Sequence, residues 1–135
     1  MKLLALKRSP KQISIRQQMK KFRDLQIWQR SHKLTLEIYR ITKEFPKSEL
    51  YGLVSQMRRS SSSIPANIAE GCGRNTEKDF ARFLDNAMGS ASELKYQLIL
   101  AYDLQYITLD NYEKTNAELT EIKRMLNAFI QKLRN

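Results

Sequence analysis

With one cysteine and one histidine among 135 residues, the chain lacks the means for several kinds of chemistry. Cys72 has no partner for a disulfide within the chain, which fits a reducing compartment. Cys72 and His32 are too few to hold zinc, so neither metal nor cofactor is expected. Four glycines and three prolines are too few for an all-β sandwich with many tight turns. No apolar run approaches the ~18 residues of a membrane span. The opening Met1-Lys2-Leu3-Leu4-Ala5-Leu6 imitates a secretory leader, but Lys7-Arg8 interrupts it short of the roughly 7–15 apolar residues required. These absences point to a cytoplasmic protein with no membrane partner.

Acidic residues are also missing from the first 23 positions, where Lys2, Lys7, Arg8, Lys11, Arg16, Lys20, Lys21 and Arg23 lie. Most of the net charge of +10 therefore sits at the N-terminus. Residues 1–18 show no sustained period and are interrupted by Ser9-Pro10, which marks a flexible basic arm ahead of a bundle domain over 19–135. Such an arm suits nucleic acid. The alternatives are a solvated, disordered tail, or an upstream start codon used in place of Met19.

What is present is helical periodicity. A first helix is expected from about Lys20 to Glu44, with apolar stripes Leu25, Trp28, His32, Leu36, Tyr39 and Ile27, Leu34, Ile38, Ile41. Pro46 ends it. A second helix, Leu50 to Glu70, carries Leu53, Met57, Ile64 and Ile68. Pro65 predicts a kink, with Ser61, Ser62 and Ser63 available to the freed backbone and Gly71 as a left-handed cap. A third opens at Asn75-Thr76 and buries Phe80, Phe83, Ala87, Ala91, Leu94, Leu98 and Ala101. A fourth follows Thr108, with Leu109, Tyr112, Leu119, Ile122, Leu126, Phe129 and Leu133 as its stripe. Long helices joined by short loops give an all-α, antiparallel up-down-up-down four-helix bundle. Helix one has two apolar stripes, and helix three is apolar nearly all round from Leu94 to Ile107. The excess predicts a homo-oligomer.

Catalytic groups are scarce. His32 lies on an apolar stripe and reads as a packed, hydrogen-bonded side chain. Arg30 and His32, two apart, do not give the spacing of a helical-bundle ribonuclease. Cys72 follows a helix C-terminus rather than an N-terminus, with Arg74 its one activating neighbour. No base, nucleophile or metal cluster emerges, so no catalytic residue is assigned and no enzyme is expected. Phosphate contacts are assigned to Lys7, Arg8, Lys11, Arg16, Lys20, Lys21, Arg23, Arg58, Arg59 and Arg74, with aromatics such as Tyr51 and Trp28 incidental. A structural polar seam is expected from Gln56, Arg59, Asn67, Glu70, Ser90 and Glu93. These fall on helical stripes rich in Ser, Asn and Gln, with Arg59 paired to Glu70 or Glu93. An ordinary solvated face is the other reading of those stripes.

Several blocks together resemble a known family. They are Phe22-Arg23-Asp24-Leu25-Gln26-Ile27-Trp28, Tyr51-Gly52-Leu53 through Gln56-Met57-Arg58-Arg59-Ser60, Ser63-Ile64-Pro65-Ala66-Asn67-Ile68-Ala69-Glu70-Gly71 and Gly89-Ser90-Ala91-Ser92-Glu93-Leu94. In this order they resemble the bacterial four-helix bundles encoded in intervening sequences of 23S ribosomal RNA genes, over about Lys21 to Leu133. The resemblance implies a ring-like homopentamer and a relation to the accessory protein of diversity-generating retroelements, which binds a reverse transcriptase and RNA. It implies no catalytic activity. Two functions follow as expectations: an RNA-associated oligomer, or a protein–protein adaptor or structural oligomer that does not touch nucleic acid.

Overall fold

The computed structural model describes residues 21–135. A 3-10 turn, Phe22–Asp24, leads into α1, Gln26–Thr42. A second 3-10 turn, Lys47–Glu49, and a π-helical turn, Leu50–Val54, lead into α2, Ser55–Cys72. Then come α3, Glu77–Asp103, and α4, Leu109–Arg134.

Side-chain pairings fix the topology. Thr35 meets Ser61 while Thr42 meets Arg58, so α1 and α2 are antiparallel. Ser60 meets Glu93 while Ser63 meets Ser90, which sets α3 against α2 in the same sense. Tyr102–Tyr112 and Phe80–Phe129 pair α3 with α4. Arg30–Glu118 closes α4 onto α1. The result is the up-down-up-down bundle that the periodicity predicts, with each helix flanked by two others.

The core follows the expected stripes closely. Ile27, Leu34, Ile38 and Ile41 of α1 are buried, as are Met57, Ile64 and Ile68 of α2, with Leu53 from the turn before it. On α3, Leu84 takes a core position and Phe83 stays half-buried. On α4, Ile130 is buried and Leu109 is exposed, because the inward face is set by Thr115, Leu119, Ile122 and Leu126. The other stripe of α1 faces outward. Leu36 is 56% exposed and Tyr39 42%, and His32 is exposed, stacked on Trp28 with ring centroids 4.9 Å apart. The packed, hydrogen-bonded histidine expected at position 32 is therefore not found. An α-helix presents one face to a four-helix core, and the Ile/Leu stripe occupies it.

Two helix signals behave as expected. Thr76 Oγ1 accepts from the Asp79 amide and Thr108 Oγ1 from the Asn111 amide, each at 3.1 Å. Two others do not. Gly71 is no left-handed cap, since α2 continues through it to Cys72. Its role is close packing: a Cβ there would lie 2.7 Å from Phe80 Cδ1 and 3.1 Å from Phe83 Cβ. Pro65 sits within a continuous α2, and the break in the second segment lies upstream at Gly52, where φ and ψ are both −112°.

The carbonyl that Pro65 leaves without an amide partner is that of Ser61, four residues back. Thr35 Oγ1 donates to it at 2.9 Å from α1. The serines expected to serve this purpose are engaged elsewhere. Ser61 Oγ donates to the Arg58 carbonyl and Ser62 Oγ to that of Arg59, while Ser63 Oγ accepts from Ser90. The freed carbonyl points at the neighbouring helix, where a side chain of α2 itself cannot follow.

Candidate nucleic-acid interface

The basic residues do not form one patch. Lys7, Arg8, Lys11, Arg16 and Lys20 lie outside the described residues. Lys21 is exposed beside the first turn, and the Arg23 guanidinium lies 5.9 Å from the centre of the Trp28 ring. Arg74 lies just past the end of α2, more than roughly 20 Å from Arg58. It pairs with Glu70 at 3.1 Å and lies over the Phe83 ring at 4.6 Å, as Arg82 does at 4.7 Å. Arg58, Arg59 and Arg74 thus fall into two separate places, and a carboxylate already offsets the charge of Arg74.

Arg58 and Arg59 differ from it. Arg58 Nε donates to Thr42 Oγ1 at 3.0 Å and Nη2 to the Tyr39 carbonyl at 3.4 Å. Its guanidinium carbon stands 4.7 Å from the centre of the Tyr39 ring. Uncharged partners therefore hold this cation in place, leaving its charge uncompensated. Arg59 is exposed, and among the described residues neither arginine forms an ion pair. They border an open hollow of about 490 Å³ between α1 and the start of α2, with Tyr39, Leu50, Tyr51, Val54, Ser55 and Ser62 as the remaining wall.

The shape of that hollow comes from the π-helical turn. Glu49 Oε1 accepts from the Leu53 amide at 3.3 Å, and Oε2 accepts from the Tyr106 hydroxyl at 2.9 Å. That hydrogen bond, with burial, raises the pKa of the Tyr106 phenol. A Cβ at position 52 would stand 2.9 Å from Glu49 Oε1, so glycine lets the carboxylate fold over the turn. The adjacent Tyr51 is swung into solvent and is 94% exposed. The helical stripes give no sign of this, because the departure from the α-helix occurs at one turn.

The polar seam forms between α2 and α3 with changed membership. Asn67 Nδ2 donates to the Ser63 carbonyl and hydroxyl at 2.8 and 3.0 Å, and Ser90 Oγ donates to Ser63 Oγ at 2.8 Å. Glu93 accepts from the buried Ser60 at 2.9 Å, not from Arg59. Glu70 is taken by Arg74, and Gln56 is exposed. One residue along a helix is a rotation of about 100°, which turns Ser60 into the seam and Arg59 out of it. The expected pairing of Arg59 with Glu70 or Glu93 is absent. A stronger ion pair lies between α1 and α4. Arg30 is bidentate to Glu118 at 2.9 and 2.7 Å, with Glu121 at 3.7 Å, and the Glu118 hydrogen bond raises the guanidinium pKa. Partners 88 positions apart leave no local signal in the sequence.

Cys72 is fully buried, and burial pushes its thiol up to about 12. A nucleophilic cysteine needs exposure and a stabilised thiolate, so Arg74 does not activate it. Among the described residues no group of His, Cys, Asp and Glu is placed to hold a metal ion, and no helix is long and apolar enough to cross a membrane.

A family model described as 23S rRNA-intervening sequence protein matches residues 23–128. Among solved structures, a protein of unknown function from the S23 ribosomal protein family of Bacteroides thetaiotaomicron VPI-5482 is 30% identical. It superposes with a TM-score of 0.70, covering 77% of this chain and 97% of that one. No curated protein matches the chain.

Proposed function

The chain belongs to the 23S rRNA-intervening sequence protein family, and from that membership we propose a non-catalytic, oligomeric bundle protein that associates with RNA. The observation that carries the reading is the distribution of charge. Eight basic residues and no acid fill positions 1–23, and Arg58 and Arg59 add cations that no carboxylate offsets. A polyanion is the partner such an arrangement attracts. The self-associating part of the reading is supported by the outward apolar residues Leu36, Tyr39, Tyr96 and Ile99, and five subunits is the number the family resemblance implies.

RNA binding at several salt concentrations tests the proposal, with the full chain set against a form beginning at Met19. Each phosphate neutralised on a single strand contributes about −0.7 to the slope of log affinity against log salt. With about four arm residues engaged, removal of residues 1–18 flattens that slope by roughly two to three. An unchanged slope removes the arm from the interface. Failure of both forms to bind at low salt favours the adaptor, in which the oligomer contacts protein alone.

A further inference from the structure

The hollow beside Arg58 and Arg59 has a feature that charge alone does not call for, a fully presented aromatic ring. We propose that it binds single-stranded RNA, with an unpaired base stacked on Tyr51 and the adjoining phosphates held by Arg58 and Arg59. The inference rests on the RNA reading above and specifies where and in what form the RNA is held.

Among the described residues Tyr51 is the most exposed of the large apolar side chains, and it is not there through looseness. Glu49 fixes the turn from both sides, through the Leu53 amide and the Tyr106 hydroxyl. Both faces of the ring are open, while the Tyr39 ring lies under the Arg58 guanidinium. One tyrosine thus orients the cation and the other offers a stacking surface. Arg58 uses Nε and Nη2 within the chain, leaving Nη1 without a partner among the described residues. Arg59 adds a second cation, and Leu50, 47% exposed, gives the hollow an apolar border.

The occupant follows from this chemistry. The wall holds two guanidinium groups and no carboxylate, so it complements an anion. The outward apolar residues that suit a second copy, Leu36, Tyr96 and Ile99, are not part of this wall, which leaves the hollow to an anion. A volume of about 490 Å³ accommodates a nucleotide. In a duplex the base faces are already stacked, so a protruding ring contributes little. On a single strand, aromatic stacking combined with a basic track is the recurring mode of recognition.

The experiment uses the full chain with a fluorescein-labelled 12-nucleotide oligouridylate, a 12-base-pair RNA duplex and polyaspartate. Light scattering and a thermal melt accompany each variant. Tyr51→Ala is expected to weaken single-strand binding roughly tenfold while leaving the duplex within about twofold, and Tyr51→Phe to restore it. Arg59→Ala is expected to lower the salt slope by about 0.7 on the single strand. Because Tyr51 packs against almost nothing, the melt of Tyr51→Ala should match that of the parent chain. Absence of RNA binding by the parent chain overturns this inference and the RNA reading together. Parent binding that survives both substitutions and disappears with the arm overturns the inference alone. A fall in particle mass on Tyr51→Ala identifies a subunit contact instead. Polyaspartate bound as tightly as the oligouridylate, and unaffected by Tyr51→Ala, identifies an acidic polypeptide as the occupant. Either result overturns it.

Discussion

Thr35 on α1 donates its hydroxyl to the backbone carbonyl of Ser61 on α2 at 2.9 Å, completing a hydrogen bond that Pro65 cannot make. Thr35 is 7% exposed and Ser61 fully buried, so water is a poor substitute. The same hydroxyl lies 3.0 Å from the Ser31 carbonyl, which makes Thr35 a bridge between one helix turn and the interruption in the next helix. A proline within a bundle helix is tolerated here because a neighbouring side chain supplies the missing donor.

The first prediction is a coupling between those sites. Thr35→Val should cost about 1–3 kcal/mol, the range for leaving a buried carbonyl unsatisfied. In a Pro65→Ala background an amide returns to serve Ser61, and the same substitution should cost clearly less. Denaturant melts of the two single variants and the double variant measure the difference. Equal costs in both backgrounds would show that the hydroxyl contributes nothing through the orphaned carbonyl.

The second concerns Gln105, which ends α3 with φ at 65°. Its amide bonds to the Tyr102 carbonyl and the Tyr106 amide to that of Ala101, each at 2.9 Å, the pair of a Schellman cap. The left-handed position costs a residue with a Cβ on the order of 1 kcal/mol. Gln105→Gly should therefore raise stability by up to about that amount, offset in part by the greater freedom of glycine when unfolded. A lowered melting temperature would contradict the strain assignment.

A third prediction uses Gly89, near the middle of the 27-residue α3. A helical glycine costs about 0.8–1 kcal/mol relative to alanine. A Cβ at position 89 meets nothing within 4 Å in the chain, whereas one at Gly71 runs into Phe80 and Phe83. On the oligomeric reading proposed above, close approach of another subunit would account for the glycine. Gly89→Leu should lower the particle mass measured by light scattering at micromolar concentration, with helicity retained. If the mass is unchanged while stability rises, Gly89 is a solvent position with no partner.

The last concerns Cys72. Burial lifts its thiol from 9.0 to about 12, so the folded state resists ionisation that the unfolded state permits. The associated stability is fully present below about pH 9.0 and is lost as pH rises through about 12. Alkylation by iodoacetamide at pH 8 should proceed no faster than global unfolding, and Cys72→Ala should flatten the alkaline fall in stability. Rapid labelling of the folded protein would reveal an accessible thiolate and reopen a catalytic role.

Much of the architecture was legible in the sequence because it depends on local periodicity and capping. The Ile27–Leu34–Ile38–Ile41 stripe, the Thr76 and Thr108 caps and the short connections are enough to specify four antiparallel helices. Arg58 and Arg59 were legible as cations for the same reason, since a charge is a property of the residue. Their environment was not. Whether a cation is offset depends on groups that come from elsewhere in the chain. Arg74 finds Glu70 one turn away, Arg30 finds Glu118 across the bundle, and Arg58 finds, among the described residues, only the uncharged Thr42 and Tyr39.

Residue type and spacing within a few turns set the helices, the polarity of their faces and the basic N-terminal bias. Packing between helices selected which of two apolar stripes on α1 entered the core, because only one face can meet two neighbouring helices. It decided that Ser60 rather than Arg59 joined the seam, since helix rotation relative to a neighbour is fixed by packing along the whole interface. It decided the π-helical turn at Gly52, where Glu49 reaches Tyr106 from 57 positions away and leaves Tyr51 standing in solvent. The turn that presents Tyr51 is held both by the local Glu49–Leu53 bond and by the distant Tyr106, and helical periodicity alone does not encode that combination.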